Sequence, residues 1–161
     1  MGNACNGCFA GLTSSNLNPK ENQNFFPETT NVRDNKALAN ACQKGNLEQV
    51  RSLLRVGDPR WADGSFFDYT ALHVAAAGGH TEVVRLLLCD ERCVGCSVDC
   101  RSTSDETPLI MAARGRKAEV CRLLLERGAD VDAKTNYKGN LARTARSYLA
   151  EAGLEGLLVE Q

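Results

Sequence analysis

What this 161-residue chain lacks removes several classes of function at the outset. It has no charge surplus: 19 Lys and Arg against 20 Asp and Glu leave a formal net charge of -1 and a pI near 6.1. A protein that grips a phosphate backbone carries a basic excess, so nucleic acid is not an expected partner. It has no long apolar run either. The stretch Val83-Val84 to Leu86-Leu87-Leu88-Cys89 is broken by Arg85, and it falls far short of the ~20 residues that a membrane-spanning helix needs. No charged segment leading into an apolar stretch of secretory type stands at the N-terminus. The eight cysteines are therefore expected as thiols in a reducing, cytoplasmic compartment and not as a disulfide framework. No glycine-rich phosphate loop is present, and no serine or carboxylate is arranged around His73 or His80 in a recognisable motif. Neither an enzyme nor a cofactor is expected. The remainder, 43% apolar and 24% charged, is the make-up of one soluble globular domain able to bury a core.

What is present is a repeat. Aligning Leu38, Leu72 and Leu109 brings small residues into register three and four positions on: Ala41/Cys42, Ala75/Ala76 and Ala112/Ala113. Ten on stand Glu48, Glu82 and Glu119, and fifteen and sixteen on the pairs Leu53-Leu54, Leu87-Leu88 and Leu124-Leu125. The spacings are 34 and 37 residues, so the second copy carries a small insertion. Each copy reads as two short helices. In Thr107-Pro108-Leu109 a capping threonine precedes a proline whose missing N–H costs nothing at the first helical position. Leu109, Ala112 and Ala113 then share a face, and the alanines let a neighbouring helix approach closely. Gly78-Gly79-His80 ends such a helix in the second copy, because glycine takes the left-handed conformation of a helix stop. A second amphipathic helix follows at Thr81-Glu82-Val83-Val84-Arg85-Leu86-Leu87-Leu88, and Gly128 ends its counterpart in the third copy.

The segment Thr70-Ala71-Leu72-His73-Val74-Ala75-Ala76-Ala77-Gly78-Gly79-His80, with Glu82-Val83-Val84 and its leucine run, closely resembles an ankyrin repeat. So does Thr107-Pro108-Leu109 through Gly128-Ala129-Asp130-Val131. The resemblance implies an all-α ankyrin-repeat solenoid over residues 34–161, with units of about 34–66, 67–103, 104–137 and 138–158, preceded by a flexible tail at 1–33. The outer units are degenerate, as capping repeats usually are. The first lacks the Thr-Pro-Leu-His entry; the last keeps Gly139, Leu141, Ala145 and Leu157-Leu158.

In that family, β-hairpin fingers and inner helices form a concave protein-binding face, which places the fingers here at 58–69, 96–106 and 130–138. A protein-interaction adaptor, monomeric on its own, is the implied function. The first finger, Asp58-Pro59-Arg60-Trp61-Ala62-Asp63-Gly64-Ser65-Phe66-Phe67-Asp68-Tyr69, carries four aromatics where the family favours polar turn residues. Aromatics gathered on an exposed element make an interface hot spot. Phe67 and Tyr69 are the expected contacts, while Trp61 and Phe66 either join them or pack against the capping repeat. Gln43, Lys44, Ala77, Arg114 and Arg146 would line the concave floor and make it positive; the alternative is a solvated face. The resemblance assigns His73 and His80 to hydrogen bonds between neighbouring loops.

Two features fall outside the repeat pattern. Cys89, Cys93, Cys96 and Cys100 lie within twelve residues at the insertion. Four thiolates could hold zinc, although the outer gaps of three are short for a zinc site; a metal- or redox-responsive loop and a loop of reduced thiols are the two readings. Cys42 and Cys121 are expected in the core. The N-terminal Met1-Gly2-Asn3-Ala4-Cys5-Asn6-Gly7-Cys8 resembles a dual-acylation signal, with Gly2 for myristate and Cys5 or Cys8 for palmitate, although Asn6 stands where serine or threonine is usual. One acyl chain holds a membrane only marginally, so the second site would be needed to reach a cytoplasmic membrane face.

Overall fold

The computed structural model describes residues 31–64, 67–89, 98–136 and 142–158. Within them the chain forms seven α-helices: α1 (Val32–Lys44), α2 (Leu47–Leu53), α3 (Ala71–Gly78), α4 (Thr81–Cys89), α5 (Pro108–Arg114), α6 (Ala118–Glu126) and α7 (Ala145–Ala152). A short 3-10 helix, Glu155–Leu158, follows.

The sequence sets several of these boundaries by capping residues. Asn31 opens α1, its side-chain oxygen accepting from the Arg33 N–H at 3.0 Å. Gly45 closes it at φ 69° and Asn46 starts α2 at once, accepting from the Gln49 N–H at 3.1 Å. Gly79 and Gly153 close α3 and α7 in the same left-handed way. α5 ends differently. Gly115 stays at φ -79° and the left-handed residue is the following Arg116, at φ 55°.

Helices pair as α1/α2, α3/α4 and α5/α6, and α7 with the 3-10 helix. The inner helices α1, α3, α5 and α7 stack in that order, with α2, α4 and α6 behind them. The seam between inner helices is made of residues with almost no exposed surface: Leu38 and Cys42 of α1, Ala75 and Ala76 of α3, Leu109, Ala112 and Ala113 of α5, and Leu149 of α7. Val50, Val83, Val84, Leu87, Val120 and Leu124 close the core from the outer helices. This is the all-α solenoid of helix pairs that the repeat implies.

Two expectations need correction. Among the described residues the connecting loops hold no two-stranded ladder: they are turns pinned by single antiparallel bridges, Asp63–Tyr69 and Lys134–Thr144. In the first loop Phe67 and Asp68 both take left-handed backbone, φ 58° and 55°, which ends any extended run after one pair. In the last unit, Ala145 is the first residue of α7 behind the cap Thr144, whose hydroxyl accepts from the Ser147 N–H at 3.1 Å. Thr144 lies as far beyond Thr107 as Thr107 lies beyond Thr70. Arg146 therefore sits in the first turn of α7 and not at the concave end of an inner helix; it grips the Asp132 carboxylate at 2.8 and 3.0 Å.

Candidate interaction face

A groove of about 320 Å3 crosses the inner face from α1 to α5. Gln43 stands at one side, Val74, Ala77 and Gly78 form its middle, and Met111 and the Tyr69 ring close the other side. α3 supplies its floor through Val74, Ala77 and Gly78, the last two with almost no side chain. Phe67, 58% exposed, continues the aromatic surface outward, its ring centroid 5.8 Å from that of Tyr69.

The groove is held together by a carboxylate that the repeat pattern does not single out. Glu106 precedes the cap of α5 and is only 1% exposed. The Tyr69 hydroxyl donates to Oε2 at 2.6 Å, and the Arg114 guanidinium donates to Oε1. Tyr69 comes from the loop before α3 and Arg114 from the end of α5, so one buried anion ties two units. The Glu106 backbone takes part as well: its carbonyl accepts from the Ser102 N–H at 3.1 Å and from His73. Because a carbonyl can only accept, the His73 Nε2 must carry the proton, and Nδ1 is left to accept from the Thr70 N–H at 3.2 Å. His73 is fully buried, and desolvation holds its pKa below the usual imidazole value.

His80 makes the second link between units, its Nε2 2.9 Å from the Gln43 carbonyl. Further along, the Thr103 N–H donates to the Phe67 carbonyl at 3.0 Å and the Asn136 N–H to the Ser104 carbonyl at 2.8 Å. The Asp99 carboxylate takes the Asp130 N–H at 3.0 and 3.1 Å. Each loop is thus sewn to the next through its backbone. Both histidines are structural links of this kind.

The residues expected to contact a partner fall into different environments. Phe67 is exposed, Trp61 is half-buried, and Phe66 lies outside the described residues. Tyr69 is half-buried, with its hydroxyl committed to Glu106. Lys44 is exposed in the last turn of α1. Arg114 is 44% exposed but paired with Glu106, and Arg146 is paired with Asp132. The expected run of cations along the floor is therefore offset at two of its positions by carboxylates. Val74, Met111 and Glu106 were missed by sequence reading. The first two sit between the aligned Leu and Ala positions, and the role of Glu106 depends on a tyrosine 37 residues earlier.

Of the insertion cysteines, Cys89 is half-buried at the end of α4. Cys100 packs beside the α3 cap, its Sγ 3.5 Å from Thr70 Oγ1 and 3.7 Å from His73 Nδ1. Cys93 and Cys96 lie outside the described residues, as do Gly2, Cys5 and Cys8. Among the described residues no group of three or more His, Cys, Asp or Glu could hold a metal ion, and no helix is long and apolar enough to cross a membrane. Cys42 and Cys121 are buried in α1 and α6, where desolvation pushes each thiol up to about 12.

Comparison with known proteins agrees with this architecture. A family model for ankyrin repeats in three copies matches residues 8–94 and 38–135. Residues of the chain are 37% identical over 122 positions to the probable E3 ubiquitin-protein ligase XBOS31 of Oryza sativa subsp. japonica, covering 74% of the chain and 26% of that protein. They are 43% identical over 63 positions to protein phosphatase 1 regulatory subunit 12A of Mus musculus, covering 39% of the chain and 6% of that protein. Ankyrin repeat and KH domain-containing protein 1 of Homo sapiens is 48% identical over 64 positions, 40% of the chain and 2% of that protein. The chain thus spans 26% or less of these relatives' lengths. Ankyrin repeats are in general non-enzymatic modules that bind other proteins. The stacked helix pairs, the loop-to-loop links through His73 and His80, and the matching family model place this chain in the ankyrin-repeat family.

Proposed function

We propose that this chain is an adaptor that captures another protein on its inner face and first loop, while acyl groups on Gly2 and on Cys5 or Cys8 hold it at a cytoplasmic membrane surface. The observation that carries the first half is the continuity of exposed Phe67, the Tyr69 ring and the apolar groove over α3 and α5. A contiguous aromatic and aliphatic patch with a polar border has the make-up of a protein-binding hot spot. Arg114, joined to Tyr69 through Glu106, borders it on the α5 side, and Lys44 follows the lining Gln43 on the α1 side.

The second half rests on the sequence Met1-Gly2-Asn3-Ala4-Cys5-Asn6-Gly7-Cys8. Removal of an initiator methionine would expose Gly2 to myristoylation, and a neighbouring palmitoylated cysteine would supply the second anchor that stable attachment needs.

The two halves are tested separately. A photo-crosslinking amino acid at Ala77 should trap a protein partner from cells, and Phe67→Ala should cut the yield severalfold while leaving the melting temperature within about 2 °C of wild type. Trapping at a control site on α6 and not at Ala77 would remove the inner-face assignment. Gly2→Ala should move the protein from the membrane fraction to the soluble one. A wild-type protein that is soluble and carries no acyl mass ends the anchor proposal and leaves the adaptor reading intact.

A further inference from the structure

The groove has a chemical bias that narrows its partner. We infer that it takes a peptide segment of a partner protein in which an apolar side chain stands next to a carboxylate. This inference rests on the inner face being the docking face.

The floor, made by Val74, Ala77, Met111 and the Tyr69 ring, is apolar and offers space for one or two side chains. A volume of about 320 Å3 is at the lower end of what ligand sites show, roughly 300–1,000 Å3, which suits a peptide anchor better than a bulky cofactor. The border is cationic on both sides. Lys44 follows Gln43 at the α1 side, exposed, and makes no ion pair with the described residues. On the α5 side Arg114 lies one helical turn beyond Met111 on the same face. Its counter-ion is almost wholly buried, so the negative charge of Glu106 lies beneath the surface while 44% of the guanidinium side chain remains at it. The stem of Lys117 crosses Gly79, the neighbour of the groove's Gly78, where a Cβ would meet its Cδ at 2.6 Å. Nearby acids are engaged: Asp68, between Phe67 and Tyr69, accepts from the Thr103 hydroxyl at 2.9 Å, and on the outer helices Glu82 and Glu119 pair with Arg85 at 3.8 Å and Arg122 at 3.4 Å. A ligand carboxylate therefore meets a guanidinium already oriented by a buried partner, the pre-ordered arrangement in which a charge-assisted contact loses least entropy.

The test uses two fluorescein-labelled octapeptides as probes on the full chain, one with a central leucine flanked by glutamates and one with glutamines in their place. Fluorescence polarisation should show the glutamate peptide binding about tenfold tighter in about 50 mM salt, with the advantage shrinking several-fold in 0.5 M salt. Lys44→Glu should remove most of that advantage without changing the glutamine peptide, and Lys44→Gln should fall between. Ala77→Glu, which fills and charges the floor, should abolish binding of both. Equal affinity for the two peptides, or indifference to both Lys44 changes, overturns the inference. So does a concentration-dependent dimer broken by Ala77→Glu. A cellular partner trapped at Ala77 that is insensitive to salt and to Lys44→Glu would leave the adaptor reading standing and remove the acidic-segment inference alone.

Discussion

Single side chains decide how the units are joined, and Glu106 is the most consequential of them. Removing one partner of a buried ion pair leaves an uncompensated charge, at a cost of ~3–5 kcal/mol when both partners are buried. Arg114 is nearly half exposed, so solvent covers part of the loss. Arg114→Met is expected to destabilise by about 2 kcal/mol in urea unfolding, and Glu106→Gln in the same chain should recover much of it. Tyr69→Phe should cost about 1–2 kcal/mol, because a charge-assisted hydrogen bond disappears. Tyr69 is therefore a poor choice for testing contact alone, and Phe67 a good one. His73 gives a pH signature. Its folded pKa lies below the unfolded value near 6.5, so below that pH the unfolded state takes up the proton first. Stability is complete above pH about 6.5 and falls as the medium is acidified towards the folded value. The melting temperature should decline between pH 7 and 5 in wild type and decline less in His73→Asn, which starts lower. At the thiols, Cys42 and Cys121, with values near 12, should resist iodoacetamide in the native state and react once unfolded.

Among the helices and turns, the sequence carried most of the plan. Thr107 marks a start, and Gly79 and Gly128 mark stops, because capping and left-handed backbone are local chemistry. The alanine pairs of the inner helices were legible for the same reason. The loops were harder to read. Their hydrogen bonds run to other loops about one repeat away, as Thr103 to Phe67 and Asn136 to Ser104, and no local signal announces them. The last unit misled because Leu141 and Ala145 imitate the repeat while the helix starts at the Thr144 cap. Close approach between units also shows in Gly45 and Gly78, between which the His80 ring is seated. A Cβ at either would collide with the imidazole. Gly45→Ala adds left-handed strain and is expected to lose about 2–3 kcal/mol. In a His80→Ala background the loss should be smaller, a non-additivity that a double-mutant cycle would read directly.

For the molecule as a whole, a stack whose units touch only their neighbours melts according to its interfaces. Two of those interfaces rest on identifiable polar links, His80 to Gln43 between the first and second units and the Glu106 cluster between the second and third. Native-state hydrogen exchange should show the amides of α3 and α5 exchanging most slowly and those of α7 and the 3-10 helix fastest. The Glu106 arrangement also limits how the array can be rebuilt. Repeats of this kind are usually thought of as interchangeable bricks. Here the brick holding Tyr69 reaches forward for a carboxylate oxygen on the brick holding Glu106 and Arg114. A generic repeat spliced between them would leave a phenol without its acceptor on one side and a buried carboxylate short of a donor on the other. The order of the middle units is keyed, and any lengthened version of the chain must be extended at its ends.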